Sequence, residues 1–417
     1  MLAAVASSWA LFLGIALIML GNGLQNSLLG IRAEVEGFPT AITGLIMTCY
    51  FTGFLSGSTI VPKLVERVGH IRTFAALASL ASTAILMHAL YVEPTSWGAM
   101  RLITGFCYAG MYVVAESWLN DRATNEMRGS LLSVYMVVML GGMAVGQLLL
   151  NLADPSGYEL FVLTSILISL ALVPMLLTAG AAPQLEAPDT MGPRRLYRIS
   201  PLGTLGALGV GVAQGGLMGM GAVYGKSAGM TVGEVSVFMA AVVFGGVLLQ
   251  WPIGRISDKL DRRQVLTVIT LLAAVCIVTA GVMSANSPPA WIILTLVALF
   301  GGLCFPMYSV AIAHTNDFLD QRQMVAASGT LVLIGGSGAI MGPITLAASM
   351  SIFGPLGFFW GLGAVHTTIG VFALYRMTVR QSLPVEDQGT LVPVAQIASP
   401  VAVTLVEETD ETEATPR

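Results

Sequence analysis

Arg101, Gly105, Tyr108, Tyr112 and Glu116 recur at spacings of four, three, four and four along an otherwise apolar stretch. On a helix this spacing sets them in one polar stripe. A guanidinium inside such a stretch can bind an anionic solute or modulate a proton-carrying carboxylate, and Glu116 can itself carry a proton. The plainer readings are that Arg101 snorkels to the headgroups and that Glu116 is an interfacial charge paired with Arg122 or Arg128. Asn22, Gln25 and Asn26 share one helical face by the i, i+3, i+4 rule. They are suited either to contact a solute or to bond a neighbouring helix. No Ser/His, Asp/Asp or HExxH arrangement is present, so catalysis is not expected. No GxxxxGK[ST] loop points to ATP. Cys49, Cys107, Cys276 and Cys304 lie in apolar runs without metal or disulfide spacing, so no cofactor is expected.

The elements that must position these residues belong in a bilayer. The chain of 417 residues is 55% apolar and 10% charged, against roughly 45–50% and about 25% in soluble domains. So few charges could not cover a water-soluble surface. Twelve runs are long enough to cross a membrane, which takes roughly 20 residues. They cover 5–31, 40–61, 73–92, 97–119, 131–153, 160–180, 202–224, 232–253, 265–285, 290–313, 328–351 and 355–375. They lack period-2 alternation and are too long for tilted strands, which excludes a β-barrel. The first run reads as a retained helix and not a cleaved leader. Of the 19 Lys and Arg, all but Arg32, Arg101 and Lys226 fall on one side when the connections are assigned alternately. Positive residues stay cytoplasmic, so both termini are expected inside a bacterial-type inner membrane. Much of the net charge of −4 comes from the acidic end VEETDETEATPR, and 384–417 reads as a solvated, disordered tail. The expected partners are the lipid bilayer and a small-molecule solute, with no nucleic acid, and the chain is expected to be a monomer.

The sequence is also written twice. A shift of 192 lays Pro62–Ile71 on Gly254–Arg263 and pairs Gly23 with Gly215, Gly53 with Gly245 and Asn22 with Gln214. A shift of 196 lays MYVVAESWLND on MYSVAIAHTND, pairing Tyr112 with Tyr308, and Gly142 and Gly146 with Gly338 and Gly342. Several matches in order at nearly one offset predict two parallel six-helix bundles, 1–180 and 201–383, joined by a polar linker, 181–200. The fold class is thus all-α integral membrane protein. Two such halves characterise secondary transporters with a solute held between them near the midplane.

GRISDKLDRR resembles the signature loop of the major facilitator superfamily: Gly254, Asp258, Lys259, Arg262 and Arg263 fit, and Asp261 stands where Gly is preferred. Glu66, Arg67 and Gly69 fit the same pattern in the first half. ESWLNDRATNEMRGSLLSVYM resembles the family's YcaD-like branch. The resemblance implies that these loops latch the halves together on the cytoplasmic side when the cavity opens outward; setting topology alone is the competing role. It also implies that the first, fourth, seventh and tenth spans line the path, nominating Asn22, Gln25, Asn26, Arg101, Tyr108, Tyr112, Glu116, Gln214 and Tyr308. Drive by a proton gradient is the coupling expected. The seventh span, with nine glycines in LGTLGALGVGVAQGGLMGMGAVYG, suggests close packing and an easily bent helix. Thr231 and Glu234 form a candidate capping box. His88 and His366 read as structural. GAIMGP resembles the family's antiporter signature, but that signature belongs on the fifth span, where GMAVGQ puts Gln147 in place of Pro. Few fixed charges line the path, which favours a neutral or amphipathic solute. Efflux of hydrophobic compounds is the alternative to uptake. A non-transporting sensor is more remote, since 34 residues after Leu383 are short for a signalling domain.

Overall fold

The structure, a computed structural model, describes residues 8–122, 128–177, 191–286, 288–381, 383–389 and 391. Among the described residues twelve helices are long and apolar enough to cross a membrane. The N-terminal six are Trp9–Val35, Thr40–Val68, His70–Leu90, Pro94–Asp121, Leu131–Leu152 and Glu159–Leu177. The C-terminal six are Pro201–Ser227, Val232–Ser257, Arg262–Ser284, Ala290–Asn316, Gln323–Phe353 and Gly357–Val379. Twelve crossings bring both ends of the chain to one side, here called the terminal end; the opposite side is the distal end. The first and seventh spans are the most completely enclosed, while apolar side chains such as Leu170, Phe244, Val275 and Val371 face outward. That pattern places the polar groups inside and hydrocarbon outside, as a lipid solvent requires.

Helices meet where glycine removes the side chain from one partner, so backbones can touch. A Cβ on Gly53 would collide with the Leu102 carbonyl oxygen, and one on Gly105 with that of Tyr50. In the other half, Gly245 meets the Ala298 carbonyl and Gly301 that of Val242. The first and fifth spans behave alike: Gly146 meets the Leu20 carbonyl, as Gly342 meets that of Val212. Every residue of the second set lies 192 or 196 positions beyond its counterpart, so the repeat read from the sequence is a repeat of helix contacts.

The glycine-rich seventh span is one continuous helix, without a break. Its glycines pack it against the eleventh span, where Gly211 and Gly216 approach the carbonyls of Gly335 and Gly342. The break falls instead in the tenth span, at Phe305–Pro306 between Ala290–Cys304 and Met307–Asn316, because proline lacks the amide that would continue the ladder.

The linker and the tail are partly built into the fold. Pro193–Ile199 is a short helix, preceded by Met191, whose N–H donates to the Ala326 carbonyl at 3.1 Å. At its start, the segment expected to be a solvated tail is docked on the C-terminal half. The Leu391 N–H donates to Asp258 Oδ1 at 2.7 Å, the Gly389 N–H to Asp317 Oδ1 at 3.3 Å, and Leu391 is buried against Gly254. Asp258 and Asp317, whose Oδ1 atoms also face Arg262, accept these tail amides.

Candidate functional site

The two halves touch toward the distal end. Gly30 packs on Ala222, Gly44 on Ala347, and Gly219 on Met47 and Pro343. Two hydrogen bonds cross there: Thr48 Oγ1 donates to the Ile340 carbonyl at 3.3 Å and Asn151 Nδ2 to Ser236 Oγ at 2.7 Å. On the terminal side of these seals, at mid-depth, a cavity of about 60 Å³ separates the halves. A buried water needs ~10–15 Å³ of such space, so this void has room for only a few waters. Its walls come from the second, fifth, seventh, eighth, tenth and eleventh spans. Aromatic rings (Tyr50, Phe51, Phe54, Phe305) and thioethers (Met136, Met143, Met218) dominate, and Gln214 and Gln250 supply amides.

Among the nominated path residues, Gln214 lines this cavity; its Nε2 donates at 3.4 Å to the Cys304 carbonyl beside the helix break. Asn22, Asn26, Arg101, Tyr108 and Tyr112 gather behind the wall in the N-terminal half, while Tyr308 lies on the tenth span. Asn22 Nδ2 donates to the Tyr112 hydroxyl at 3.0 Å. Asn22 Oδ1 accepts from Tyr50 Oη at 3.3 Å and from Asn26 Nδ2 at 3.2 Å. Arg101 Nη2 donates to Asn26 Oδ1 at 3.1 Å, and its guanidinium carbon lies 4.2 Å from the centre of the Tyr50 ring. Tyr108 packs between Tyr50 and Tyr112, its ring centre 6.2 Å from each. Gln25 and Tyr308 are fully buried, and neither side chain has a hydrogen-bond partner among the described residues. Arg101 therefore does not snorkel: it is 1% exposed and points into protein.

Glu116 is fully buried within the fourth span. Its Oε1 accepts from Tyr135 Oη at 2.7 Å; the side chains of Arg122 and Arg128 lie outside the described residues. It stands 15 residues from Arg101, about 22 Å along the helix, so the two do not pair. Gln147, at the signature proline position, bonds Ser27 on the first span. His88 Nδ1 lies 2.8 Å from the Ala84 carbonyl, and His366 Nδ1 3.2 Å from Thr270 Oγ1, each inside its own half.

In the second-half signature loop, Arg262 pairs with Asp317 and donates to the Gly389 carbonyl, with Asp258 3.4 Å away. The bonds described for Asp258, Arg262 and Arg263 thus run to the C-terminal half and the tail. Burial pushes the Asp317 carboxyl up, although the Arg262 charge works the other way. Asp261, where the family prefers Gly, caps the ninth span: its Oδ1 accepts the Arg263 N–H at 2.9 Å, and its Oδ2 accepts from Arg263 Nη2 at 2.8 Å. In the first-half loop Glu66 and Arg67 are exposed, and Gly69 turns the chain at φ 94°. Lys259 is exposed as well.

Sequence reasoning missed Tyr50, the Met and Phe walls, and Gln250, whose Nε2 donates to Ser309 Oγ at 3.2 Å. Gln250 carried a signal, being the only amide in VFMAAVVFGGVLLQW. The phenylalanines and methionines carried none, because wall and lipid-facing residues have the same composition.

Two six-helix bundles related by a parallel repeat and closed around a mid-depth cavity define the architecture of a secondary transporter. The family model of the Major Facilitator Superfamily matches residues 11–343 and 203–405, and the chain belongs to that superfamily. It is 30% identical over 342 residues to the uncharacterised MFS-type transporter YcaD of Escherichia fergusonii, covering 81% of this chain and 87% of that one. The corresponding protein of Salmonella typhimurium is 30% identical over 347 residues, covering 82% and 88%. Among solved structures, the nucleoside transporter NupG superposes with a TM-score of 0.71 at 12% identity, covering 89% and 98%. An inward-facing, unoccupied bacterial homologue of the human lysosomal transporter Spinster gives 0.70 at 16% identity, covering 99% of each.

Proposed function

We propose that this transporter moves a small solute across a bacterial inner membrane by rocking its halves, with both termini cytoplasmic and a proton gradient as the driving force. The terminal end is then the cytoplasmic one, and the conformation described above is inward-facing. The observation that carries this reading is the one-sided seal: the halves meet through Gly30, Thr48 and Asn151 on the distal side, with the cavity on the other. A cavity of about 60 Å³ is far below the roughly 300–1,000 Å³ of a ligand pocket, so loading requires the terminal side to open further. Glu116, buried against Tyr135, is the proposed proton carrier.

The test is uptake into vesicles reconstituted with the purified protein, using solutes chosen by thermal shift from sugars, amino acids, organic acids and drugs. Solute movement accompanied by a change in vesicle pH, lost in Glu116→Gln, supports the full reading. Movement with a flat pH trace removes the proton. Labelling cysteines introduced at Lys226 and Lys259 from one side of the membrane tests orientation, and modification of both from the same side overturns the topology.

A further inference from the structure

The N-terminal polar cluster holds a charge that nothing described there balances. Among the described residues Arg101 Nε and Nη1 have no hydrogen-bond partner, nor does the Tyr108 hydroxyl. The titratable groups near the guanidinium are Tyr50, Tyr108, Cys49 and His88, none of them a carboxylic acid that would carry the balancing negative charge. An ionised group inside a membrane protein is expensive and faces a partner or a water-filled path. Here the partner is missing and the free donors are positioned for an acceptor.

The C-terminal half serves as an internal control. At the repeat positions of Arg101, Tyr50, Tyr108 and Asn26 stand Val297, Val242, Cys304 and Met218, and the same glycine contacts form around them. The packing therefore does not require a cation. Tyr50 gives the cluster its access route, because its ring forms part of the central cavity wall and Arg101 stacks upon it.

We propose that Arg101 and Tyr108 form an anion subsite gated by Tyr50, and that the solute is an amphipathic monocarboxylate. Its carboxylate displaces the Tyr50 ring and takes the free guanidinium donors, while its apolar body fills the wall of Met136, Met143, Phe54 and Phe305. This deepens the transporter reading and rests on it for the word solute; the subsite itself is tested by binding alone.

The experiment measures thermal shift and calorimetric binding in detergent for a graded series of straight-chain and aryl monocarboxylates, each beside its primary amide. Sodium chloride and sodium sulfate buffers serve as the inorganic-anion arm. The expected result is a size-dependent stabilisation by acids at least tenfold tighter than by the matched amides. Arg101→Gln, checked for monodispersity, should abolish it; Arg101→Lys, which keeps the charge but loses the fork, should weaken it, and Tyr50→Phe should retain it. Equal binding of acids and amides, acid binding that survives in Arg101→Gln, no acid-specific shift anywhere in the series, or saturation by chloride without competition from acids would each overturn the proposal. Acid binding without vesicle uptake leaves the subsite standing and removes the transport reading instead.

Discussion

In the N-terminal half the second and fourth spans close around Tyr50 and Arg101; in the C-terminal half the same backbone positions carry Val242 and Val297. Both pairs of spans touch through the same glycines, Gly53 and Gly105 in one, Gly245 and Gly301 in the other. Packing is thus duplicated while polarity is not. The first half holds a buried cation, a buried carboxylate and a tyrosine network. The second offers amides at the cavity and keeps its buried cations, Arg262 and Arg263, at the terminal end. A rocking carrier needs two matching bundles for the motion but only one set of recognition groups. A duplicated chain that has kept its glycines and changed its polar positions fits that division.

The largest expected effect falls where the halves agree. Gly105→Val or Gly301→Val places a branched side chain against a backbone carbonyl that cannot move without shifting a helix. Overpacking of side chains costs about 1–3 kcal/mol, and a backbone collision belongs among the exceptional losses above about 4 kcal/mol. Size-exclusion chromatography of either variant should show little monodisperse protein. Tolerance in one half only would mean that the two contacts are not equivalent.

Next come the substitutions at the positions where the halves differ. Val297→Arg buries an unpaired charge in the C-terminal half and should destabilise by about 3–5 kcal/mol. Arg101→Met, closer in volume, removes one and should be neutral or stabilising by about 1–4 kcal/mol. Thermal unfolding in detergent measures both, and shifts of the same sign would undo the claim that only one half tolerates a cation for a purpose other than folding.

How far this contrast could be read in advance depends on what each feature looks like in a chain. The repeat was legible because glycines at backbone contacts cannot be exchanged without cost, so the offsets survive in the residues themselves. Arg101 was legible as a charge out of place, but its missing counter-charge was not, since that depends on which side chains converge from other spans. Of the spans expected to line the path, the seventh and tenth contribute to the cavity wall, beside the second, fifth, eighth and eleventh. Rotation of each helix decides which stripe faces the cavity, and in an all-apolar run no residue type marks that stripe. Tail docking was invisible for a different reason: Gly389 and Leu391 contribute backbone amides and a carbonyl, which every sequence has.

A smaller effect separates the two signature loops. Arg262→Gln loses the Asp317 pair and the bond to Gly389, whereas its repeat partner His70 contacts Ser117 at 2.9 Å without an ion pair. Truncating one partner of this pair, whose side chains are 2% and 4% exposed, should cost about 3 kcal/mol, the low end of the buried range. It should also free the tail, raising maleimide labelling of a Leu391→Cys reporter. His70→Ala should cost about 1 kcal/mol and leave that labelling unchanged.

The finest distinction is how each loop makes its turn. The first uses Gly69 at φ 94°, where any side chain is strained, so Gly69→Ala should cost about 1 kcal/mol at every pH. At the matching position the second loop has Asp261 with φ −55° and a carboxylate cap. Burial disfavours ionisation of Asp261, but the hydrogen bonds from Arg263 and its charge outweigh that and hold the carboxyl below its usual range. A depressed folded value means the cap's contribution is complete above the unfolded value, near 4. It is lost as pH falls through the folded one. Asp261→Asn should therefore cost about 1 kcal/mol or less at neutral pH, with the gap to the wild type closing on acidification. Asp317 adds a background of opposite sense to both proteins, because its carboxyl is pushed up, so only the difference between the two unfolding curves isolates the cap. A gap that stayed constant with pH would mean that Asp261 acts as a neutral acceptor, leaving the two loops alike in everything but backbone angle.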